Sequence, residues 1–435
     1  MRALGIELRR SAALWAGLLI VLVGLGFFYA LPGPWGKGSD AWTEEWFSLA
    51  MWQRWLLNLL WPLAVGAGAW QGRRDRRSKM DELLSATPRP AFQRALPPVV
   101  AMCAGVTAAY LVIFFVGAVQ VIGNASYVGV GWVPVMLVGI LSMIAAVLAG
   151  MGVGRIFPFL LTAPIAAVLT MAATTVALVG APGTGSVVEG TVSWQFALLT
   201  PVFDFQDDLF VTVSTPVNLV QALWFAGLTI TGFGLLTLVG RKARLLALLP
   251  ALAALAITLP LLPSSAAGIL TPDTSAAALV CEDRVCVSRL HQDHLPEIAG
   301  PVRQALTQLA KLPGAPTVVQ EARMSQFTMD TLPPSADIVF FHFDDYEFQL
   351  NPRRTILAGP DLHRYCDWEI GKHAAARRMV VASWFDGELR PVASRNTTNR
   401  DVETEAKRMW QELRALPVDQ QPAKVAELRA QSPEC

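Results

Sequence analysis

The stretch PPVVAMCAGVTAAYLVIFFVGAVQVI runs from Pro97 to Ile122 without one charged side chain. A helix needs about 20 mostly apolar residues to cross the hydrocarbon core of a bilayer, so this stretch is long enough to span a membrane. Six other stretches have the same character. The seven predicted spans are Ala13–Leu31, Trp55–Gln71, Pro97–Ile122, Trp132–Val153, Phe157–Gly180, Pro216–Val239 and Leu245–Leu262. The sequence therefore predicts a mostly α protein built on a polytopic transmembrane helix bundle of about seven spans.

Composition divides the chain into two regions. The 435 residues are 53% hydrophobic and 16% charged, and their mean hydropathy is +0.42. Residues 1–262 hold 16 Lys and Arg and 11 Asp and Glu, whereas residues 263–435 hold 19 and 23. This split predicts a transmembrane domain, 1–262, followed by a soluble α/β domain, 263–435. It excludes an entirely soluble enzyme and a disordered chain, and no basic face indicates a nucleic-acid partner.

Basic residues beside the spans predict the orientation, because short cytoplasmic loops carry an excess of Lys and Arg. One set of alternating loops holds Arg2, Arg9, Arg10, Arg73, Arg74, Arg76, Arg77, Lys79, Arg89, Arg94, Arg155, Arg241, Lys242 and Arg244, whereas the other set holds only Lys37 and Arg54. We expect a multi-pass protein of the cell membrane with its N-terminus in the cytoplasm. An odd number of spans then predicts that domain 263–435 is extracytoplasmic.

The predicted spans contain almost no ionisable side chains, and we expect none at mid-depth. Ion-coupled transporters usually need such groups inside the membrane, where they are retained for function. The chain also lacks the G-x-x-x-x-G-K-[ST] loop that cradles nucleotide phosphates. We therefore expect neither enzyme activity nor a bound cofactor in this chain. If the protein uses ATP, a separate partner subunit must supply it.

The loop after the second predicted span, residues 72–97, begins GRRDRRSKMDELLSATPRP. Ser78 is placed as an N-cap, and two acids follow in the first turn, where the helix dipole favours anions. Met80, Leu83 and Leu84 form an apolar side, and Pro88 ends the pattern. The sequence predicts a short amphipathic helix between two spans. Such a helix is marginal alone in water, so a partner or the membrane surface must help to hold it.

At this loop the chain resembles the permease subunits of type-2 ABC exporters, which often carry a basic segment followed by E-L-L, small residues and T-P between their second and third spans. The basic segment here comprises Arg73, Arg74, Arg76 and Arg77, and the motif and its flank comprise Met80, Asp81, Glu82, Leu83, Leu84, Thr87 and Pro88. The resemblance implies that these residues couple to a separate ABC ATPase subunit, and that the permease forms a homodimer or pairs with a similar permease. It covers the membrane half only, since the family core usually has six spans and no large outer domain. The alternative is a basic loop that binds anionic headgroups of the lipid bilayer.

Four of the five cysteines, Cys281, Cys286, Cys366 and Cys435, lie in the predicted outer domain. An even number of cysteines in an extracytoplasmic compartment favours disulfides, and four cysteines allow three pairings. The close pair Cys281 and Cys286 favours a bridge between two short extended segments. Free thiols and a metal site are the alternatives.

All five histidines also lie in the outer domain, which raises a zinc hypothesis centred on His291 and His294 with Glu297. The HExxH pattern is absent, and histidine is excluded from spans in any case, so this pattern is a weak indication of metal. Helical spacing predicts helices at Leu295–Leu312, Asp361–Phe385, Asp401–Leu416 and Gln421–Gln431, whereas Asp337–Phe343 and Thr355–Ala358 favour strands.

Two loops on the predicted outer side have a distinct composition. Tryptophans are frequent between residues 31 and 55, and tryptophan favours the headgroup layer, so we expect a helix from about Asp40 to Trp52 lying flat on the membrane rather than a ligand cage. The loop Ala181–Thr215 carries acids but no Lys or Arg. It is either a solvated loop or a surface that attracts a cationic amphiphile.

Three classes of function remain open on the sequence. The first is the permease subunit of an ATP-driven exporter, as the resemblance implies. The second is a membrane-tethered sensor or ligand-binding protein whose outer domain recognises an envelope ligand. The third is an anchored extracytoplasmic metallohydrolase. Seven spans exceed what an anchor requires, which favours the first class.

Overall fold

The computed structural model describes residues 12–29, 45–74, 90–184, 186–203, 209–323, 337–343, 345–359, 368–392 and 400–430. The chain forms two compact units, Met1–Asp273 and Thr274–Cys435. The first unit is mostly helical. Its helices are α1 (Ala13–Tyr29), α2 (Trp46–Gly72), α3 (Ala91–Asn124), α4 (Trp132–Ile156), α5 (Thr162–Gly180), α6 (Trp194–Ala197), α7 (Thr215–Thr237), α8 (Arg241–Leu246) and α9 (Leu249–Leu261).

Five helices of the described chain are long and apolar enough to cross a membrane. They are α3, α4, α5, α7 and the continuous segment Arg241–Leu261 formed by α8 and α9. The prediction of a membrane protein with an apolar helix bundle is thereby confirmed, and these five helices coincide with five of the seven predicted spans. Helix α1 is also apolar but shorter, with 17 residues.

Helix α2 contains the predicted span Trp55–Gln71, but it begins earlier, at Trp46. The polar residues Gln53, Arg54 and Asn58 lower its hydropathy, so it is not among the five candidate spans. It is nevertheless deeply buried in the bundle, with Leu49, Leu57 and Leu60 fully excluded from solvent. The flat surface helix expected up to Trp52 is wrong for its described part, because Trp52 and Trp55 are buried inside α2.

Two short strands complete the first unit at one end of the bundle. Strand β1 (Val211–Val213) precedes α7, and strand β2 (Leu270–Pro272) follows α9. They pair antiparallel, with Val211 opposite Pro272. The chain leaves the unit beside this pair, where the Asp273 amide donates to the Phe210 carbonyl at 2.7 Å.

The second unit combines a four-stranded sheet with helices. The strands are β3 (Leu279–Glu282), β4 (Val285–Ser288), β5 (Val318–Glu321) and β6 (Ile338–Phe341), and they lie in the order β3-β4-β5-β6. The β3–β4 pair is antiparallel, and the β4–β5 and β5–β6 pairs are parallel. The helices are α10 (Leu295–Leu309), α11 (Tyr346–Leu350), α12 (Pro352–Ala358), α13 (Trp368–Asp386), α14 (Arg400–Ala415) and α15 (Gln421–Ala430).

Amphipathic periodicity explains how this unit closes its core. Helix α10 buries Ile298, Val302 and Leu309 in the same core as Val319 and Val339 of the sheet. The predicted helix at Leu295–Leu312 and the predicted strand at Asp337–Phe343 are confirmed within a few residues. The strand expected at Thr355–Ala358 is wrong, and these residues form the end of α12.

Helix α12 forms because its first turn is capped. The side chain of Asn351 accepts from the Arg354 amide at 3.1 Å, and Pro352 occupies the first turn, where it needs no amide partner. These local contacts override the strand preference of Thr355 and Ile356.

Candidate functional site

Contacts between the helices show which of them run in the same direction through the bundle. Gly68 of α2 packs at Val147 of α4 and Gly72 packs at Met151, so α2 and α4 run in the same direction. Gly232 of α7 packs at Leu148. Helix α7 runs parallel to α4 as well, because Leu235, one turn later, packs at Gly152.

The remaining helices run in the opposite direction. The backbone amide of Ala12, directly before α1, donates to the Gln71 side chain at 3.3 Å, whereas Phe28 at the other end of α1 contacts Trp52. In α5, Thr175 donates to Asn58, which lies in the first half of α2. Helix α3 is parallel to α1, and α9 is antiparallel to α7. The helices therefore alternate in direction along the chain.

This alternation gathers the described basic residues of the loops at one end of the bundle, here called the basic end. They are Arg73, Arg74, Arg94, Arg155, Arg241, Lys242 and Arg244. The opposite end carries the β1–β2 pair and the residue Asp273, which accepts from Tyr127 Oη at 3.3 Å. The loop that carries the export-type motif therefore joins α2 to α3 at the basic end.

The motif itself, Met80, Asp81, Glu82, Leu83, Leu84, Thr87 and Pro88, lies outside the described residues, as do Arg76 and Arg77. The two described arginines of the basic segment differ. Arg74 is exposed. Arg73 is only 3% exposed, its guanidinium lies 3.8 Å from the centre of the Trp70 ring, and Nη1 donates to the Phe159 carbonyl at 3.3 Å. Arg73 is therefore packed against the bundle and anchors the start of the loop.

A seam of glycines joins α2 and α4 just before this loop. A Cβ on Gly68 or Gly72 would overlap the backbone of α4, and one on Gly150 or Gly154 would overlap the backbone of α2. Small residues on both sides bring the two backbones into direct contact. Because Gly72 is the last residue of α2, the loop starts where the backbones of α2 and α4 are in direct contact.

Arg54 is the feature that the sequence analysis missed. It was counted among the loop residues, but it lies inside α2 and is fully buried. Its Nε donates to the Pro201 carbonyl at 2.7 Å, Nη1 to the Val135 carbonyl at 3.3 Å and Nη2 to Gln221 Oε1 at 3.0 Å. Arg54 is thus an ionisable side chain buried in the bundle, at a position that the sequence analysis had assigned to a loop. The sequence pattern did not indicate that α2 already begins at Trp46, eight residues before Arg54.

The second unit places His291 in a buried polar cluster. His291 Nδ1 lies 2.6 Å from Glu321 Oε1, and the other carboxylate oxygen accepts the Ser288 amide at 2.6 Å. The side chains of His291 and Glu321 are 3% and 2% exposed. The imidazole stacks on Phe343, with 4.4 Å between ring centres. The cluster ties the turn after β4 to the end of β5.

His294 does not join His291 in a ligand set. Their ring centres are 6.4 Å apart, and His294 packs beside Phe343. Within the described ranges, no group of three or more His, Cys, Asp or Glu side chains is placed to hold a metal ion. The described residues therefore supply no third zinc ligand beside His291 and His294.

Other charged side chains in the second unit hold its helices together. Asp386 accepts from Arg353 Nη2 at 2.7 Å and also pairs with Arg354, whose pKa is lowered mainly by burial. Burial also lowers the pKa of Arg429 to about 10. Its guanidinium donates to the Ile356 carbonyl at 3.1 Å, which fastens α15 to α12.

The predicted disulfide between Cys281 and Cys286 is confirmed. The two residues are direct partners in the β3–β4 register, which explains why so short a separation is bridged. Cys366 and Cys435 lie outside the described residues, and Cys103 is a free, half-buried thiol in α3. The bridge closes a small loop, so its stabilisation is at the low end for disulfides.

We expect the double variant Cys281→Ala, Cys286→Ala to lower the stability of the second unit by about 2 kcal/mol, because the short loop regains little chain entropy. The rate at which a protease cleaves this unit in the full-length protein measures the change. Cys103→Ala is the matched control and should leave the rate unchanged. A double variant as resistant as the parent would contradict a stabilising bridge.

No protein-family model matches the chain, and neither a curated protein nor a solved structure matches it. Any assignment of function therefore depends on the residues and geometry described above.

Proposed function

We propose that the chain is the permease subunit of an ATP-driven exporter of the type-2 ABC class, which couples through the loop 72–97 to a separate ATPase. The observation that carries the proposal is the position of this loop. It joins α2 to α3 at the basic end, and α2 is locked to α4 by the glycine seam directly before the motif. A partner that gripped the loop would thereby move two helices of the bundle together.

In this proposal, the basic end of the bundle faces the cytoplasm. Short loops rich in Lys and Arg favour the cytoplasm, so the motif faces an ATPase inside the cell. The chain leaves the bundle at Asp273, at the opposite end, and the second unit then begins outside. The Cys281–Cys286 bridge fits an oxidising compartment.

The proposal takes the bundle as seven spans, with α1 and α2 added to the five candidate helices. At 17 residues and ~1.5 Å per residue, α1 extends about 26 Å, which a slightly thinned or locally adapted bilayer accommodates. Helix α2 spans while shielded from lipid by its neighbours, which explains how it tolerates polar residues. Two permease subunits, identical or similar, would face the two subunits of an ATPase dimer.

The coupling loop gives the direct test. We expect Glu82→Lys with Leu83→Asp to reduce co-purification of the ATPase at least tenfold in mild detergent, because the changes reverse both the acidic and the apolar character of the helix predicted from the sequence. The ATPase is identified by mass spectrometry of proteins that co-purify with the unmodified chain.

The matched control carries the same two chemical changes at exposed positions of the second unit, Glu388→Lys with Leu350→Asp. It should retain the ATPase. Unchanged recovery in the Glu82, Leu83 variant would reject docking at this loop, and so would a tag at Met80 that is accessible from outside the cell.

A further inference from the structure

Residues 194–203, here called the inserted segment, enter the bundle from the end opposite the basic end. The segment starts with the four-residue helix α6 and continues as irregular backbone. Leu198, Val202 and Phe203 are at most 5% exposed. Arg54, which contacts the segment, lies about 12 Å along α2 from Trp46, at ~1.5 Å per residue. The segment therefore reaches well below the end of the helices.

Irregular backbone in an apolar bundle needs hydrogen-bond donors for its carbonyls, because no water replaces them. Helices α2 and α7 supply these donors from side chains. Gln221 Nε2 donates to the Leu198 carbonyl at 2.7 Å, Trp224 Nε1 to the Leu199 carbonyl at 2.8 Å, and Arg54 Nε to the Pro201 carbonyl at 2.7 Å. Here Gln221, Trp224 and Arg54 are called the latch.

The segment has no backbone ladder to the rest of the bundle in the described part of the chain. Its backbone–backbone bonds, such as Leu198 to Trp194 and Thr200 to Ala197, join near neighbours only. Side-chain bonds to the latch and packing hold it in place. Its release would therefore require the loss of these side-chain bonds and of the packing around them.

Arg54 also connects the segment to the helices that meet the coupling loop. Its guanidinium bonds to Val135 of α4 and Gln221 of α7, and the Phe203 ring lies 4.7 Å from it. Arg54 and Gly72 belong to one continuous helix. The residue that bonds to the Pro201 carbonyl therefore lies on the helix that leads into the coupling loop.

We propose that the inserted segment is a movable gate at the outer end of the transport path, and that the latch holds it closed until α2 shifts. This inference rests on the proposed function. Arg54 is a positioning residue here, since it acts through the segment. Breaking one latch bond to the segment should raise the open population of the segment.

Amide hydrogen exchange of the full chain in nanodiscs tests the latch. Trp224→Phe removes only the indole donor to Leu199, and we expect the peptide covering 194–203 to exchange at least threefold faster. Arg54→Gln should accelerate exchange at least tenfold. The matched control is Trp61→Phe, which removes an indole bond of the same length, 2.8 Å, to the Ser142 carbonyl away from the segment.

The control should leave exchange of the segment unchanged, and peptides of α5 should stay unchanged in all three variants. If Trp224→Phe and Arg54→Gln leave the segment as protected as in the parent, or if Trp61→Phe accelerates it equally, the latch is rejected. The Trp224 variant keeps the test decisive should Arg54→Gln fail to fold.

The gate is tested with the co-purified ATPase trapped in its ATP-bound form by a hydrolysis-deficient substitution. We expect exchange of the segment in the parent chain to rise toward the Arg54→Gln level. An ATPase that binds without changing this exchange rejects the gate and leaves the proposed function intact. Absence of any bound ATPase rejects the proposed function, and the gate with it, whereas the latch measurement remains valid.

Discussion

Gly154→Leu is expected to break the seam between α2 and α4 and to lower the stability of the bundle by more than 3 kcal/mol. Even the Cβ of alanine would overlap the Ala69 carbonyl oxygen of α2. That obstacle is backbone, which cannot rotate away as a side chain can, so the helices must separate. Overpacking by a single methyl group typically costs about 1–3 kcal/mol, and leucine adds three more carbons. Gly154→Ala should therefore fall between the parent and the leucine variant.

The control for this prediction is Gly26→Leu in the apolar helix α1, where an added Cβ meets no atom within 4 Å. The two variants have equal composition and differ only in the space at the glycine. Denaturation of the full chain in mixed micelles, followed by tryptophan fluorescence, gives both stabilities. Equal midpoints for the two variants would show that α2 and α4 do not meet through Gly154.

Removal of the Glu321 carboxylate is expected to destabilise the second unit by about 3–5 kcal/mol, the range found when one partner of a buried pair is deleted. In Glu321→Ala the His291 ring nitrogen and the Ser288 amide both lose their acceptor inside the core. The turn that carries His291 then loses its attachment to β5. Protease resistance and hydrogen exchange of residues 279–323 in the full-length protein report the change.

Two further variants distinguish the loss of the His291–Glu321 contact from the general effect of removing an acidic charge. Glu321→Gln retains an oxygen for the Ser288 amide, so about half of the loss should remain. Glu388→Ala breaks an ion pair with Arg390 whose side chains are 67% and 62% exposed, and it should have no measurable effect. If Glu321→Ala were as stable as Glu388→Ala, the His291–Glu321 contact would not support the fold.

Several elements were predictable because their causes are local. The five long apolar helices follow from uninterrupted stretches of apolar residues. The helix at Leu295 follows from spacing along one face, and the Cys281–Cys286 bridge follows from a five-residue separation across a hairpin. The prediction was wrong at Thr355–Ala358, where a strand was expected. The side chain of Asn351 caps the first turn there, and the residues form α12.

The start of α2 was less predictable from the sequence. Gln53, Arg54 and Asn58 interrupt its apolar pattern, so the pattern predicted a separate surface helix ending near Trp52 and a span that begins only at Trp55. Those polar residues are tolerated because their partners come from other elements. Gln53 Nε2, for example, donates to the Tyr110 carbonyl of α3. Whether a polar side chain in a span has a hydrogen-bond partner can be judged only when the neighbouring elements are known.

The sequence by itself determined that this protein has an apolar helical region and a polar region that combines helices and strands. Hydrophobic length, capping and turn chemistry act within a few residues, so they can be followed along the chain. Only the tertiary structure decided that Arg54 meets Pro201, 147 positions away, and that His291 meets Glu321, 30 positions away. These contacts depend on which helices and strands become neighbours, and packing of the whole unit sets that arrangement.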